Sequence, residues 1–383
     1  MSSTGSTAVA AAGAVPGGEA GAPLLQVEHL QVLFPIRNGL GRATKHVHAV
    51  DDVTLSLVEG ETLGLVGESG CGKTTLARTL VRLNKPTGGG FRFRGTEVTS
   101  LKGKALNAFR REVQMVFQDP QSSLNPRKRI SAILQAAIRL RGDRTGPGVT
   151  ELLTRVGLDP EHAQRYPHEF SGGQRQRIGI ARALAVDPRL IILDEPVSAL
   201  DVSVQAQVVN LLDDLQDTQR LSYIFVAHDL SVVRHISDRI AVMYLGKVVE
   251  LAPADDIYAR PRHPYTASLL EAIPIPDPTR AGRMRRGAPV GELPSPIDPP
   301  SGCRFHSRCP FATKVCIDVE PPLTRYPDGQ LAACHHPLNV TAEELAGAVR
   351  SEDSPRSSGA ELPTEPAVVV AENGDQDPAA WTD

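Results

Sequence analysis

The sequence contains few aromatic residues and no long apolar run. Aromatic side chains make up 4% of its 383 residues, with a single tryptophan, so aliphatic side chains must fill most of any core. No stretch approaches the roughly 18 consecutive apolar residues that a membrane-spanning helix requires. The first basic residue is Arg37, so the N-terminus lacks the basic start of a secretory signal. We therefore expect a globular protein that is neither exported nor inserted in a membrane.

The chain also lacks an excess of positive over negative charge. The net charge is −3, and residues 341–383 carry ten acidic residues against Arg350 and Arg356, which leaves only a small positive excess elsewhere. A dedicated nucleic-acid binder has a basic face or stripe. We therefore expect no nucleic acid among the partners of this protein.

Composition divides the chain into four segments. Residues 1–22 are low-complexity and rich in Ala, Gly and Ser, which predicts disorder. Residues 23–258 alternate apolar runs with helical patterns, which predicts an α/β domain. Sixteen of the 31 prolines fall within residues 253–338, so the segment 259–338 is predicted to be an irregular C-terminal extension. Residues 339–383 are predicted to be an acidic disordered tail.

Within the α/β segment, short buried strands and longer helices can be placed directly. Strands are predicted at residues 63–66, 113–117, 190–193, 223–227 and 240–243, where apolar runs are brief and rich in β-branched residues. Helices are predicted after residues 72 and 173 and near residues 202–215. This alternation is typical of a parallel sheet covered by helices.

A phosphate-binding loop follows the first of these strands. It comprises Gly67, Glu68, Ser69, Gly70, Cys71, Gly72, Lys73 and Thr74, and Thr75 continues into the helix. The pattern G-x-x-x-x-G-K-[ST] between a strand and a helix lets backbone N–H groups and the helix N-terminus surround phosphate oxygens. Lys73 is expected to reach the β- and γ-phosphates, and the Thr74 hydroxyl to bind Mg²⁺.

Two acidic residues end another buried strand. Asp194 and Glu195 follow the apolar run 190–193, and ligands of open α/β sheets bind at the carboxyl ends of the strands. Asp194 is expected to hold Mg²⁺, directly or through water. Glu195 is expected to polarise a water molecule in line with the γ-phosphate. The sequence thus predicts ATP hydrolysis.

A second anion-binding helix start lies at Ser171, Gly172, Gly173 and Gln174. A fold with a complete phosphate loop hardly needs another such site for the same nucleotide, unless it caps a phosphate held by a second subunit. With this motif, and with Gln118, Asp201 and His228 in the expected order, the sequence resembles the ATP-binding subunits of ABC transporters. In that family two subunits sandwich two ATP molecules head to tail.

The resemblance implies the fold and several roles. It implies an α/β, P-loop ABC-type nucleotide-binding domain with a helical subdomain, here followed by a small proline-rich, metal-binding extension. Gln118 is expected to contact Mg²⁺ and the attacking water, His228 the γ-phosphate, and Asp201 the partner subunit. The aromatic ring that usually stacks on adenine is not evident, and Phe34, His46 and His48 stay open as substitutes.

Further motifs narrow the resemblance to oligopeptide and dipeptide permease ATPases, whose relatives also import nickel or glycosides. These motifs are Tyr166-Pro167-His168-Glu169-Phe170, Arg262-His263-Pro264-Tyr265-Thr266, residues 291–296 and Ser301-Gly302-Cys303. The resemblance implies peptide import with a second, different ATPase subunit, two membrane permeases and an external binding protein. The chain would then be peripheral to the cytoplasmic face of the membrane. Alternatives are an importer of nickel or another small solute, a non-transport ABC ATPase, and a structural or redox-sensing subunit.

Four of the five cysteines are clustered. Cys303, Cys309, Cys316 and Cys334 fall within 32 residues, which in a cytosolic chain favours a metal site over disulfides. Four thiolates can hold zinc or a [4Fe–4S] cluster. The family resemblance favours the iron–sulfur cluster, with zinc and unmetallated thiols as alternatives. A metal would staple the proline-rich extension, and its loss is expected to impair assembly or transport before nucleotide binding.

Overall fold

Two sheets organise the part of the chain that the structure, a computed structural model, describes: residues 22–37, 43–119, 123–142, 145–273 and 292–350. Residues 1–21 of the N-terminal segment, which was predicted to be disordered, therefore lie outside the described residues. In chain order the strands are β1 (Leu25–Arg37), β2 (Ala43–Leu57), β3 (Thr62–Val66), β4 (Gly88–Phe93), β5 (Thr96–Glu97), β6 (Val113–Val116), β7 (Leu190–Asp194), β8 (Ser222–Val226), β9 (Arg239–Tyr244), β10 (Lys247–Pro253), β11 (Thr324–Arg325), β12 (Leu331–Ala332) and β13 (Val349–Arg350).

Helices connect the strands and cover the sheets. They are α1 (Lys73–Leu80), α2 (Gly103–Glu112), α3 (Ile130–Leu140), α4 (Val149–Arg155), α5 (Gly172–Leu184), α6 (Val202–Gln219), α7 (Leu230–Ile236), α8 (Ala254–Ala259), α9 (Pro264–Glu271), α10 (Lys314–Asp318) and α11 (Ala342–Ala346). Three short 3₁₀ turns span Pro160–Gln164, Pro167–Glu169 and His306–Arg308. In the described ranges, no helix combines the length and the apolar character needed to cross a membrane.

The larger sheet has the order β13-β11-β12-β10-β9-β3-β8-β7-β6. Its strands β9, β3, β8, β7 and β6 pair in parallel, and all five coincide with predicted strands, which confirms those predictions. Parallel strands buried on both faces are continuous apolar runs, as here. Their carboxyl ends meet at one edge, where the phosphate loop and the acidic pair lie.

Two hydrophobic cores lie on the opposite faces of this sheet. Along β7, Ile191 and Leu193 enter the core formed with α3, α4, α5 and α6, whereas Leu190 and Ile192 enter the core formed with α1 and the smaller sheet. This alternation follows from the two-residue period of a strand. The smaller sheet is antiparallel, with the order β2-β1-β4-β5, and it lies beside the phosphate loop.

The C-terminal extension joins the larger sheet. Strand β12 pairs with β10, and β11 pairs with both β12 and β13. Phe305 is 1% exposed and packs in the core. The extension is therefore held by strand pairing and burial, so these contacts supply order that the sequence assigned to a metal staple.

The acidic tail also begins later than predicted. Residues 339–350 include α11 and β13, and Thr341 opens α11 with a capping box to Glu344. Glu344 accepts a hydrogen bond of 3.1 Å from the buried guanidinium of Arg262. The prediction of disorder is thus wrong for residues 339–350, which contain a helix and a strand and where Glu344 is paired with the domain. Residues 351–383 lie outside the described part of the chain.

Candidate functional site

The phosphate loop depends on glycine at its two ends. Gly67 and Gly72 adopt φ values of 149° and 110°. A Cβ at Gly67 would lie 2.2 Å from the carbonyl oxygen of Met243, and one at Gly72 would lie 1.9 Å from that of Ala49. Both backbones are close enough to exclude any side chain, so these glycines fix the loop between β3 and α1. Ser69 and Gly70 form its exposed tip.

Lys73 is buried inside this loop, with 4% of its surface exposed. Its Nζ donates hydrogen bonds to the carbonyl oxygens of Gly67 and Glu68, at 2.7 and 3.0 Å. A buried ammonium group needs such partners, and phosphate oxygens would replace them. Cys71 lies beside Lys73, and burial raises the pKa of its thiol, which disfavours the reactive thiolate.

The two predicted Mg²⁺ ligands are in direct contact. Thr74 Oγ1 donates to Asp194 Oδ1 at 2.9 Å, although the residues are 120 positions apart. Asp194 is 1% exposed, and this burial raises the pKa of its carboxyl group. A hydroxyl and a buried carboxylate are hard oxygen ligands, and a cation would offset the cost of burying the charge. The residues present thus fit Mg²⁺.

The three predicted catalytic residues meet at one carboxylate. Gln118 Nε2 donates to Glu195 Oε2 at 2.9 Å, and His228 Nδ1 lies 3.4 Å from the same oxygen. Glu195 directly follows β7 and adopts a left-handed φ of 47°. The sequence brings these side chains together because β6, β7 and β8 are neighbours that end at one edge. Glu195 and His228 also line a surface pocket with Ser198 and Gln205.

The second anion-binding motif lies at the start of α5. Ser171 Oγ accepts from the Gln174 N–H at 3.3 Å, and Gln174 Oε1 accepts from the Ser171 N–H at 3.0 Å. Ser171 and Gly172 are exposed, whereas Gly173 is buried where a Cβ would lie 2.3 Å from Val204 of α6. The motif therefore presents a capped helix start to solvent.

Asp201 lies just before α6. Its carbonyl oxygen accepts the N–H groups of Val204 and Gln205, at 2.9 and 2.8 Å, and its side chain is exposed. The next residue, Val202, is 81% exposed, which is unusual for a valine that opens an amphipathic helix. This stretch has the exposure that a contact with a partner subunit requires.

The candidates for adenine stacking lie on the β1–β2 hairpin. In its register Leu33 faces His48, Phe34 faces Val47 and Pro35 faces His46, so the two histidines share one face and Phe34 takes the other. His48 also approaches Asp51 at 3.1 Å, while Phe34 is 42% exposed. All three candidates stay open.

Sequence reasoning missed two residues that touch the phosphate loop. The Tyr265 hydroxyl accepts the Glu68 N–H at 2.8 Å across 197 positions of sequence. Arg308 donates two hydrogen bonds to the Glu68 carboxylate, at 2.9 and 2.8 Å, across 240 positions. Contacts between residues so far apart leave no local sequence pattern. The motif that contains Tyr265 was therefore the one sequence signal near these contacts. The C-terminal extension is therefore part of the nucleotide site.

The four cysteines of the extension lie near one another. Burial raises the pKa of Cys334 well above its usual value, and the nearby thiols of Cys303, Cys309 and Cys316 add to this rise. Burial likewise raises the pKa of Cys303, to about 12. Among the described residues, no group of three or more His, Cys, Asp and Glu is arranged to hold a metal ion, so the side-chain positions give the predicted cluster or zinc site no support.

The chain is similar to known proteins along most of its length. Residues 50–198 match the ABC transporter family, and residues 249–316 match the oligopeptide/dipeptide transporter C-terminal region. It is 51% identical to the oligopeptide transport ATP-binding protein AppF of Bacillus subtilis, over 82% of this chain and 97% of that protein. It is 52% identical to OppF of Escherichia coli, over 78% of this chain and 92% of that protein.

Solved structures share the fold. One is a dimeric ATP-binding cassette in a post-hydrolysis state with ADP and phosphate, at 27% identity and a TM-score of 0.53, covering 60% of this chain and 98% of that one. Another is cbiO1 of Clostridium perfringens, part of an ABC transporter complex, at 25% identity and a TM-score of 0.53. The latter match covers 62% of this chain and 91% of that one.

Proposed function

The chain belongs to the ATP-binding subunits of oligopeptide and dipeptide ABC transporters, and from this premise we propose that it hydrolyses ATP to drive peptide import through partner permeases. It is an ABC-type ATPase. The observation that carries the proposal is the convergence of Gln118 and His228 on the Glu195 carboxylate, beside the Thr74–Asp194 pair. A subunit that had lost ATP hydrolysis would not need all of these side chains in place.

The phosphate loop binds the triphosphate, and Lys73 moves its hydrogen bonds from two loop carbonyls to phosphate oxygens. Thr74 and Asp194, with Gln118, would hold Mg²⁺, whose charge would offset that of the phosphates. Glu195 accepts a proton from the attacking water, and Gln118 orients that water. His228, at the end of β8, donates to the γ-phosphate.

The second half of the site comes from another subunit. Ser171, Gly172, Gly173 and Gln174 would cap the γ-phosphate bound to a partner, because this helix start is exposed at Ser171 and Gly172. Asp201 would contact the same partner. Since the family pairs two different ATPases, we propose a heterodimer docked on two permeases at the cytoplasmic face of the membrane, served by an external binding protein.

The transported solute is proposed from family membership alone, since the permeases and the binding protein select it. Nickel or another small solute is the alternative within the same family. Uptake of labelled di- and oligopeptides by the reconstituted transporter, with and without ATP, tests the proposal. If ATP hydrolysis does not respond to peptide and nickel is taken up, the nickel alternative replaces the proposal of peptide import.

A metal at the four cysteines stays a prediction of the sequence. We propose a [4Fe–4S] cluster there, with zinc as the alternative, on the strength of four neighbouring thiols and the family resemblance. No step of ATP hydrolysis depends on it.

A further inference from the structure

Glu68 of the phosphate loop is held at three points. Its N–H donates to the Tyr265 hydroxyl at 2.8 Å, its carbonyl oxygen accepts from Lys73 Nζ at 3.0 Å, and its carboxylate accepts two hydrogen bonds from Arg308. Two of the three partners come from outside the loop. The residue that opens the phosphate-binding turn is thus fixed by the C-terminal part of the chain.

Arg308 is itself firmly placed. Its side chain is 8% exposed, and Nη1 lies 3.4 Å from the Tyr244 hydroxyl at the end of β9. Beneath it, three rings from three parts of the chain pack together: the Tyr244 and Tyr265 centroids are 4.6 Å apart, and Phe305 lies 5.3 and 5.4 Å from them. In a chain with so few aromatics, this cluster indicates a rigid support for the guanidinium.

The pairing matters for an anionic ligand. The Glu68 carboxylate is a negative charge in the loop that must surround a triphosphate, and unpaired it would repel the phosphates. The two parallel hydrogen bonds of a guanidinium–carboxylate pair both fix the carboxylate and neutralise it. A lysine in place of Arg308 would supply charge without this planar geometry.

We propose that Arg308 is a positioning residue for ATP binding, which neutralises and orients Glu68 so that the phosphate loop accepts the triphosphate. This inference rests on the proposed ATPase function. It assigns to the extension a direct role at the nucleotide site, distinct from any role in assembling the transporter.

The test is ATP affinity in the full-length chain. Titration with a fluorescent ATP analogue is carried out on wild type, Arg308→Ala, Glu68→Gln and the double variant. Arg308→Ala should weaken binding about tenfold, because it leaves a half-buried carboxylate unpaired beside the phosphates. Glu68→Gln should bind at least as tightly as wild type, and adding it to Arg308→Ala should restore most of the lost affinity.

The rescue separates positioning from mere stability, because the double variant has lost the same packing as Arg308→Ala. Thermal unfolding of each variant shows that it is folded at the titration temperature. Arg94→Ala, which removes an exposed ion pair with Glu112 at 3.3 Å, is the matched control and should bind like wild type. In the assembled transporter the defect should appear in KM and leave kcat close to the wild-type value.

The outcomes are distinguishable. Wild-type affinity in Arg308→Ala, or a double variant as weak as Arg308→Ala, overturns the inference while the ATPase function stands. A wild-type chain that binds no ATP overturns the proposed function itself.

Discussion

Replacing Glu195 with glutamine tests the hydrolytic assignment with little disturbance of the structure. The change exchanges one carboxylate oxygen for an NH₂ group of the same size. Gln118 Nε2 now donates to Oε2 at 2.9 Å, and the amide oxygen of the variant can accept that bond after a flip. The cost to folding is therefore at most one hydrogen bond, about 1 kcal/mol.

The expected effect on turnover is much larger. An amide cannot accept the proton of the attacking water, and a general base contributes typically 10²–10⁴-fold to a rate. We therefore expect ATP hydrolysis to fall at least about 100-fold. ATP binding should be unchanged, because Lys73, Thr74 and Asp194 are untouched.

The assay is ATP hydrolysis by the assembled transporter, together with crosslinking of the two ATPase subunits in the presence of Mg²⁺ and ATP. ATP that is bound but not hydrolysed should hold the subunits closed, so crosslinking should rise in Glu195→Gln. Glu59→Gln is the control, since Glu59 is 58% exposed and pairs with Arg189 at the surface. Wild-type hydrolysis by Glu195→Gln would refute the assignment of the base.

Three further predictions concern the partner-facing helix start, the four cysteines and a buried carboxyl group. Ser171→Arg should abolish hydrolysis in the assembled transporter while the isolated chain still binds ATP, as equilibrium titration can measure. Anaerobically purified protein should contain about four irons per chain, lost in Cys316→Ser, and elemental analysis showing zinc or no metal would contradict this. Burial raises the pKa of Glu250 to about 7 from 4.5, so the free energy of unfolding should fall as pH rises between these values. Glu250→Gln should remove that dependence in denaturant titrations, yet lower stability, because Glu250 accepts the N–H groups of both Arg262 and His263.

The sequence predicted the parallel strands and the hydrolytic residues because both depend on short-range patterns. A strand such as Leu190–Asp194 is buried on both faces, so its apolar run is continuous and easily recognised. The contact between Thr74 and Asp194 then follows from topology, since β3 and β7 are separated only by β8 and these parallel strands end at the same edge.

The antiparallel part of the larger sheet could not be predicted in the same way. Strands Thr324–Arg325 and Leu331–Ala332 have two residues each, too few to show a period. Leu331–Ala332 pairs with Lys247–Pro253, and Thr324–Arg325 pairs in turn with Leu331–Ala332. The ordered helix Ala342–Ala346 was missed for a related reason. Its acidic composition indicates disorder by itself, whereas in the fold Arg260 and the buried Arg262 supply opposite charge to Glu344.

The cysteine-containing extension contacts the nucleotide site directly, although composition marks the two as separate segments. Arg304 donates to the carbonyl oxygen of Leu245 and to the carboxylate of Asp51, while Arg308, four residues further on, donates to Glu68. These two arginines flank the turn that leads into Cys309. Displacement of this turn would therefore disturb the phosphate loop through Glu68 and strand β2 through Asp51. The expectation that loss of a metal at the four cysteines impairs assembly or transport before nucleotide binding stays a prediction, and ATP titration of the cysteine variants tests it, because Arg308 links the neighbouring turn to the phosphate loop.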